Sequence, residues 1–124
     1  MPGKTVMVVD DEQDIQTLVK AVLEGEGFEV VVASSGQECL EMLKNEKPDL
    51  ILMDMMMPGM SGRETSKKIR DDPSTKNVKI AFLTVARFSE TGEKTLKAMN
   101  ISDYITKPFE NTDLVKRVKK ILGS

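Results

Sequence analysis

The feature that most constrains the fold is an unbroken apolar run that ends in an aspartate, LILMD at Leu50–Asp54. A continuous run of this length is typical of a strand buried on both faces, as in a parallel sheet. Pro58 and Gly59 follow closely and do not continue a strand. We therefore expect Asp54 at the carboxyl end of a central strand. In open α/β sheets, ligands bind at that edge.

Further apolar runs alternate along the chain with segments of helical periodicity. Strands are predicted over 4–9, 28–33, 50–54, 78–84 and 101–106. Helices are predicted from Asp11 or Glu12 to Gly25, after capping-box sequences at Ser35 and Ser61, over 90–99, and from about Thr112. Such alternation implies right-handed crossovers and a parallel sheet covered by helices on both faces. With 124 residues, the chain is predicted to form one domain, 1–124.

Composition excludes several classes of function. The chain has no histidine, so histidine-based catalysis and histidine-ligated zinc are excluded. A net charge of −2 and an aromatic content of 4% disfavour direct nucleic-acid binding. No apolar run approaches the roughly 18 residues of a membrane span, and the N-terminus does not resemble a signal peptide. Since a single cysteine, Cys39, also fits a reducing compartment, the sequence predicts a cytoplasmic protein without a membrane partner.

Polar residues stand at the ends of the predicted strands: Asp10 and Asp11 after the first, Asp54 on the third, Thr84 on the fourth and Lys107 after the fifth. Parallel strands finish at one edge of a sheet, so these residues are expected to meet. Three neighbouring carboxylates repel one another and need a cation, and oxygen ligands favour Mg²⁺ or Mn²⁺. Lys107 and Thr84 add a positive charge and a donor, which suits a phosphoryl group. Asp54 is the best candidate to accept that group as an acyl phosphate.

Four motifs together resemble the receiver domain of two-component response regulators, and the resemblance covers essentially the whole chain. They are Asp10-Asp11-Glu12, Asp54 with the MPGMSG segment at 57–62, Thr84, and YITKPF at 104–109. The resemblance implies a flavodoxin-like, doubly wound α/β fold with a five-stranded parallel sheet of order 2-1-3-4-5 and five helices.

The resemblance also implies roles in phosphorelay signalling for the acidic residues. Asp54 would take a phosphoryl group from the phosphohistidine of a sensor histidine kinase or a histidine phosphotransfer protein. Asp11, Asp54 and the backbone carbonyl of Met56 would bind Mg²⁺, with Asp10 acting largely through water. The chain would thus be a signalling domain that catalyses its own phosphorylation and dephosphorylation, rather than an enzyme with a separate substrate.

The same resemblance implies a conformational switch. Thr84 and Lys107 would contact the phosphoryl oxygens, and the Lys107–Pro108 peptide bond is expected to be cis. Thr84 would move toward the phosphoryl group while Tyr104 turns from exposed to buried. This change would bias the surface of the fourth helix, fifth strand and last helix toward a downstream protein target.

Departures from the family pattern make further predictions. Val85 is larger than the small residue usual after the family's threonine, which predicts slower phosphoryl exchange at Asp54. Asn100 replaces a glycine and also tolerates the left-handed conformation. Met56 and Ala86 carry no acid or amide that would orient an attacking water, so the phosphorylated form is predicted to be long-lived.

Other interpretations use the same residues. A haloacid-dehalogenase-like phosphatase also combines a nucleophilic aspartate, a Ser/Thr, a lysine and Mg²⁺-binding acids, but its nucleophile lies in an Asp-x-Asp motif on the first strand. A flavodoxin-like FMN carrier would need a Ser/Thr/Gly phosphate loop after strand one, and this sequence lacks that loop. The structural alternatives are that Asp10 and Asp11 only cap a helix, and that Tyr104 is an ordinary edge aromatic.

Overall fold

The structure, a computed structural model, describes residues 3–85 and 97–123. Its strands are β1 (Thr5–Val9), β2 (Glu29–Ala33), β3 (Leu50–Asp54), β4 (Lys79–Thr84) and β5 (Asp103–Thr106). Its helices within the described ranges are α1 (Gln13–Gly25), α2 (Gly36–Met42), α3 (Gly62–Asp71) and a C-terminal helix (Asn111–Leu122). The helix predicted over 90–99 lies mostly outside the described residues.

The five strands form one parallel sheet of order β2-β1-β3-β4-β5, which confirms the predicted topology. β3 lies at the centre, where Leu52 pairs with Val8 of β1 on one side and Ala81 of β4 on the other. Every residue of β3 is buried, which is why its sequence is apolar without alternation. Asp54 is the last residue of this strand and lies opposite Leu83 of β4.

Alternate strand residues pack on opposite faces of the sheet, as a doubly wound fold requires. Val8 and Leu52 face the layer built from α1 and the C-terminal helix. Met7 and Ile51 face the layer that contains Cys39 of α2 and residues of α3. The helix layers cover the two faces of the sheet and leave the ends of its strands uncovered.

The two predicted capping boxes begin helices as expected. The Ser35 hydroxyl accepts a hydrogen bond from the Glu38 backbone N–H at 3.0 Å, and α2 follows. The Ser61 hydroxyl accepts one from the Glu64 N–H at 3.1 Å, and α3 follows. Each bond satisfies one of the donors that a helix start leaves without an intrahelical partner.

Several boundaries differ from the predicted ones by one or two residues: β1, β2 and β4 each begin one residue later, and the C-terminal helix begins one residue earlier. β5 begins at Asp103 and not at residue 101, because Asn100 turns the chain with a φ of 55° before the first β4–β5 bond, from the Ser102 N–H to the Ile80 carbonyl. Leu18, which shares the predicted apolar face of α1, remains 39% exposed. No helix within 3–85 or 97–123 has the length and apolar character needed to cross a bilayer.

Candidate functional site

Asp10 follows the end of β1 and is fully buried at the carboxyl edge of the sheet. Its Oδ1 accepts a hydrogen bond from the backbone N–H of Glu12 at 2.9 Å, close to the start of α1. Its Oδ2 lies 2.7 Å from Nζ of Lys107. Asp10 therefore closes the turn that precedes α1, without capping the helix itself, and also makes a charged contact to a residue 97 positions away.

Asp54 lies beside Asp10 and is only 4% exposed. One carboxylate oxygen accepts a hydrogen bond from the backbone N–H of Met56 at 3.1 Å. The other lies 3.6 Å from Nζ of Lys107. The end of the central strand thus presents a carboxylate that is held by one backbone donor and faces one ammonium group.

Three carboxylates meet at this edge. Asp10, Asp11 and Asp54 each offer one oxygen, and these oxygens lie within 4.8 Å of one another. Asp10 and Asp54 are buried whereas Asp11 is exposed, so the cluster is open to solvent on one side. An all-oxygen set of this kind fits a hard divalent cation such as Mg²⁺ or Mn²⁺.

Lys107 and Thr84 complete the edge from the neighbouring strands. The Lys107 backbone N–H donates to the Thr84 carbonyl at 2.7 Å, which fixes the lysine beside the end of β4. The side chain of Lys107 is only 7% exposed and points at the acids, and the Lys107–Pro108 bond is cis as predicted. Thr84 is 1% exposed, and with Met55 and Met56 it lines a cavity of about 310 Å³.

Among the described residues, the cluster has more negative than positive charges. Burial raises the pKa of Asp54 from 3.8 to about 6; the Met56 N–H and the Lys107 charge oppose this rise, while the Asp10 charge and a hydrogen bond with Asp11 add to it. Burial lowers the pKa of Lys107, but the hydrogen bond and charge of Asp10 and the charges of Asp54 and Glu12 outweigh it, so the pKa lies above its ordinary value. One ammonium therefore does not offset the carboxylates around it, and a bound cation would.

Tyr104 lies on β5, beside the strand that ends at Thr84. It pairs with Phe82 across β4 and β5, is half-buried and packs against the layer of α2 and α3. Val85 is 68% exposed just beyond Thr84. The roles predicted for these residues in switching and in phosphoryl exchange remain predictions, and Ala86 lies outside the described residues.

Sequence reasoning missed Gly62, the first residue of α3. A Cβ at this position would collide with the backbone carbonyl of Asp54 and lie 2.8 Å from Cα of Met55. The Gly62 N–H donates to the Met55 carbonyl at 3.0 Å, so α3 begins directly against the end of β3. A glycine at the first position of a helix, where it has a poor propensity, was the available signal of this close approach.

Sequence comparisons identify similar proteins over nearly the whole chain. Residues 6–119 match the family described as "Response regulator receiver domain". The phosphate regulon transcriptional regulatory protein PhoB of Pseudomonas aeruginosa is 38% identical over 122 residues, which cover 98% of this chain and 53% of that protein. The transcriptional regulatory protein CpxR of Escherichia coli K12 is 38% identical over 94% of this chain and 48% of its own length. The chain thus spans about half the length of these curated relatives.

Solved structures agree with the sequence comparisons. Chemotaxis protein CheY4 of Vibrio cholerae superposes with a TM-score of 0.89 at 30% identity, over 95% of this chain and 98% of its own. A putative response regulator from Chloroflexus aurantiacus has a TM-score of 0.88 at 35% identity over all of both chains. None of these similarities supports the phosphatase alternative, whose nucleophile would lie on the first strand.

Proposed function

Because this chain belongs to the response regulator receiver domain family of two-component signalling, we propose that Asp54 is its phosphoacceptor. The observation that carries the proposal is the meeting of Asp54 with Asp10, Asp11 and Lys107 at one edge of the sheet, from three separate strands. The donor would be the phosphohistidine of a sensor histidine kinase or of a histidine phosphotransfer protein.

The reaction would transfer one phosphoryl group between two side chains. An Asp54 carboxylate oxygen forms a bond to phosphorus as the bond from phosphorus to the donor's imidazole nitrogen breaks. The imidazole nitrogen keeps the electron pair and then takes a proton from solvent. The carboxylate must be ionised to attack, which the N–H of Met56 and the charge of Lys107 favour.

The donor set fits Mg²⁺, with Mn²⁺ as a substitute. Asp11, Asp54 and the backbone carbonyl of Met56 would bind it, and Asp10 would act through water. The ion supplies positive charge that offsets the acids and the phosphoryl oxygens. The fit rests on the close carboxylate oxygens and on their excess over the single ammonium of Lys107.

Lys107 and Thr84 would hold the phosphoryl group once it is on Asp54. The ammonium group of Lys107 already lies 3.6 Å from Asp54 and would pair with a phosphoryl oxygen. Thr84 lines the adjoining cavity and would donate its hydroxyl hydrogen to another oxygen. Movement of Thr84 would accompany the turn of Tyr104, and the surface around β5 would then change its affinity for a downstream protein.

The setting of this switch is part of the same proposal. We place the chain in the cytoplasm as one domain that reaches its target by protein contact, with no direct nucleic-acid or membrane partner. The match over 6–119 supports a single domain, and the net charge of −2 disfavours a nucleic-acid partner. The relatives that are named transcriptional regulators are about twice as long as this chain, so we do not propose the transcriptional function of those whole proteins for it.

Incubation with acetyl phosphate and Mg²⁺, followed by intact mass spectrometry, tests the acceptor. We expect one added phosphoryl group that hydroxylamine removes, because an acyl phosphate is cleaved by that nucleophile. The product should be absent from Asp54→Asn and from samples treated with a chelator. Asp14→Asn, which changes an exposed acid on α1, is the matched control and should be modified like the parent.

The lifetime of the product tests the finer prediction. Met56 is 67% exposed beside the acceptor and has no group that would orient an attacking water. The phosphorylated protein should therefore persist for minutes or longer after the donor is removed. A half-life of seconds would contradict this prediction without affecting Asp54 as acceptor, whereas modification of Asp54→Asn would overturn the acceptor itself.

A further inference from the structure

Arg70, the next-to-last residue of α3, makes an unusual set of contacts. Its guanidinium donates from Nε to the Met99 carbonyl at 2.8 Å and from Nη2 to the Asn100 carbonyl at 3.1 Å. Its Nη1 donates to the carbonyls of Lys76 at 3.0 Å and Val78 at 2.6 Å. Among the described residues its hydrogen-bond partners are backbone carbonyls, and none is a carboxylate.

These four carbonyls belong to two separate segments. Lys76 and Val78 precede β4, whereas Met99 and Asn100 precede β5. The planar guanidinium, with its fork of fixed donors, suits such a bridge between segments. Arg70 therefore connects the end of α3 to the amino-terminal ends of β4 and β5, the two strands that carry Thr84 and Tyr104.

These hydrogen bonds lie next to the shortest strand of the sheet. β5 has four residues and, as the last strand in the sheet order, pairs only with β4. The turn at Asn100 has a φ of 55°, and the first bond to β4 comes from Ser102. Arg70 thus binds the chain at Met99 and Asn100, directly before β5, and Asn100 lies four positions ahead of Tyr104.

We propose that Arg70 is a positioning residue of the switch: it holds the turn at 99–100 in place and thereby sets how far β5 and Tyr104 respond to the state of Asp54. This inference rests on the proposed function of Asp54. Arg70 acts through β5 and touches neither the acids nor Lys107 in the described contacts. Without it, the beginning of β5 would sample several positions, and Tyr104 would be less tightly coupled to phosphorylation.

The only tyrosine of the chain gives a direct readout, since there is no tryptophan. Quenching of tyrosine emission by acrylamide measures the exposure of the Tyr104 ring. The measurement is made in Mg²⁺ without and with beryllofluoride, a stable mimic of the phosphoryl group. In Arg70→Met, we expect the beryllofluoride-dependent change in quenching to fall below about half that of the parent protein.

Two further variants test whether the effect depends on the location and donor geometry of the Arg70 side chain or only on its positive charge. Lys67→Met removes another long cation from α3, one whose ion pair with Asp71 is exposed, and should respond like the parent protein. Arg70→Lys keeps the charge but concentrates its donors at one point, so it cannot bridge both segments. Its response should lie between those of the parent and Arg70→Met. It also provides the measurement if Arg70→Met does not fold.

Amide hydrogen exchange in the metal-free protein tests the same inference without phosphorylation. A peptide that covers 97–106 should exchange about tenfold faster in Arg70→Met, while a peptide that covers 50–56 should be unchanged. If the parent protein shows no beryllofluoride response, the proposed turn of Tyr104 fails, while the acetyl phosphate experiment still decides the acceptor role of Asp54. The exchange pattern then decides whether Arg70 positions the start of β5.

Two results would overturn the inference. One is a quenching change in Arg70→Met equal to that of the parent protein. The other is faster exchange spread evenly over all strands, which would show that Arg70 stabilises the whole fold without positioning β5.

Discussion

A cation lies among carboxylates at each end of β5, and the two clusters differ in burial. Beyond the last residue of β5, Lys107 contacts Asp10 and Asp54, and these three side chains are at most 7% exposed; the exposed Glu12 lies 3.7 Å from the same ammonium group. At the first residue of β5, Arg117 contacts Asp103 at 2.9 Å and Asp113 at 2.8 Å, with exposures of 25% to 48%. A cation among carboxylates is thus present once in the interior and once at the surface.

The difference shows what burial adds to a charge cluster. At the surface, the hydrogen bonds that the Arg117 guanidinium donates to Asp113 and Asp103 raise the pKa of Arg117, and water screens the remaining negative charge. In the interior, burial and the neighbouring acids raise the pKa of Asp54 to about 6 against the effect of Lys107. The exposed cluster also has more acids than cations, but water compensates their charge, whereas the buried cluster keeps an uncompensated excess of negative charge that favours binding a cation.

Removal of Lys107 should give the largest effect. In Lys107→Met, Asp10 and Asp54 lose their only close cation among the described residues, and unpaired buried charge is costly. We expect the free energy of unfolding of the metal-free protein to fall by about 3 kcal/mol, measured by urea unfolding. Mg²⁺ should restore part of this loss. A loss no larger than that of an exposed-pair variant such as Lys67→Met would show that burial does not distinguish the clusters.

A shift of β3, the strand that carries Asp54, should give the second-largest effect. In Gly62→Ala, the added methyl group meets the backbone of Asp54 and Met55, so α3 or the end of β3 must shift. We expect a loss of about 2 kcal/mol in urea unfolding, with weaker Mg²⁺ binding. Gly25→Ala is the matched control, because a Cβ there meets nothing within 4 Å, and it should be neutral or slightly stabilising.

If Gly62→Ala binds Mg²⁺ as tightly as the parent protein, the close approach does not set the position of Asp54. The loss of stability would then report packing alone. The exposed cluster has no comparable backbone contact at a glycine among the positions described, so no equivalent variant exists for Arg117.

The sequence was most informative where a local pattern has a local cause. The uninterrupted apolar run of β3 predicted a strand buried on both faces, and the structure confirms it. The serines at 35 and 61 predicted helix starts, because capping depends on residues three positions apart. The edge that unites Asp10, Asp54 and Lys107 followed from topology alone, since parallel strands end together.

The features that the sequence did not reveal depend on distances between elements. Gly62 matters because α3 starts against β3, and Arg70 because two distant segments come within reach of one guanidinium. Leu18 shares the apolar periodicity of α1, yet it stays exposed and is not among the residues of α1 that pack against the sheet. The raised pKa of Asp54 likewise needs the depth of burial, which periodicity does not provide.

Neutralisation of Asp54 should stabilise the metal-free protein. Its pKa is raised from 3.8 to about 6 in the folded state, so the folded protein binds this proton more tightly than the unfolded chain. The contribution of Asp54 to stability is therefore full below pH 3.8 and is lost as the pH rises through about 6. Asp54→Asn avoids that loss and should be more stable at pH 7 by about 1 to 2 kcal/mol, allowing for screening by water.

Urea unfolding between pH 4.5 and 7.5 measures this effect, and the advantage of Asp54→Asn should grow with pH. Mg²⁺ should reduce the advantage, because it binds the parent protein more tightly than the variant. Asp14→Asn is the control for loss of an ordinary exposed carboxylate. An advantage that is independent of pH would mean that the Asp54 charge is already compensated in the metal-free protein.

Removal of the exposed cation should give the smallest effect. Arg117→Met breaks two short ion pairs, but Asp103 and Asp113 regain water when the guanidinium leaves. We expect a loss of at most about 1 kcal/mol that shrinks in high salt, because exposed pairs are screened. The loss of unfolding free energy in Lys107→Met should change much less with salt concentration. Equal salt dependence of the two variants would mean that water reaches Lys107 as freely as Arg117, and the buried cluster would then lose its distinction from the exposed one.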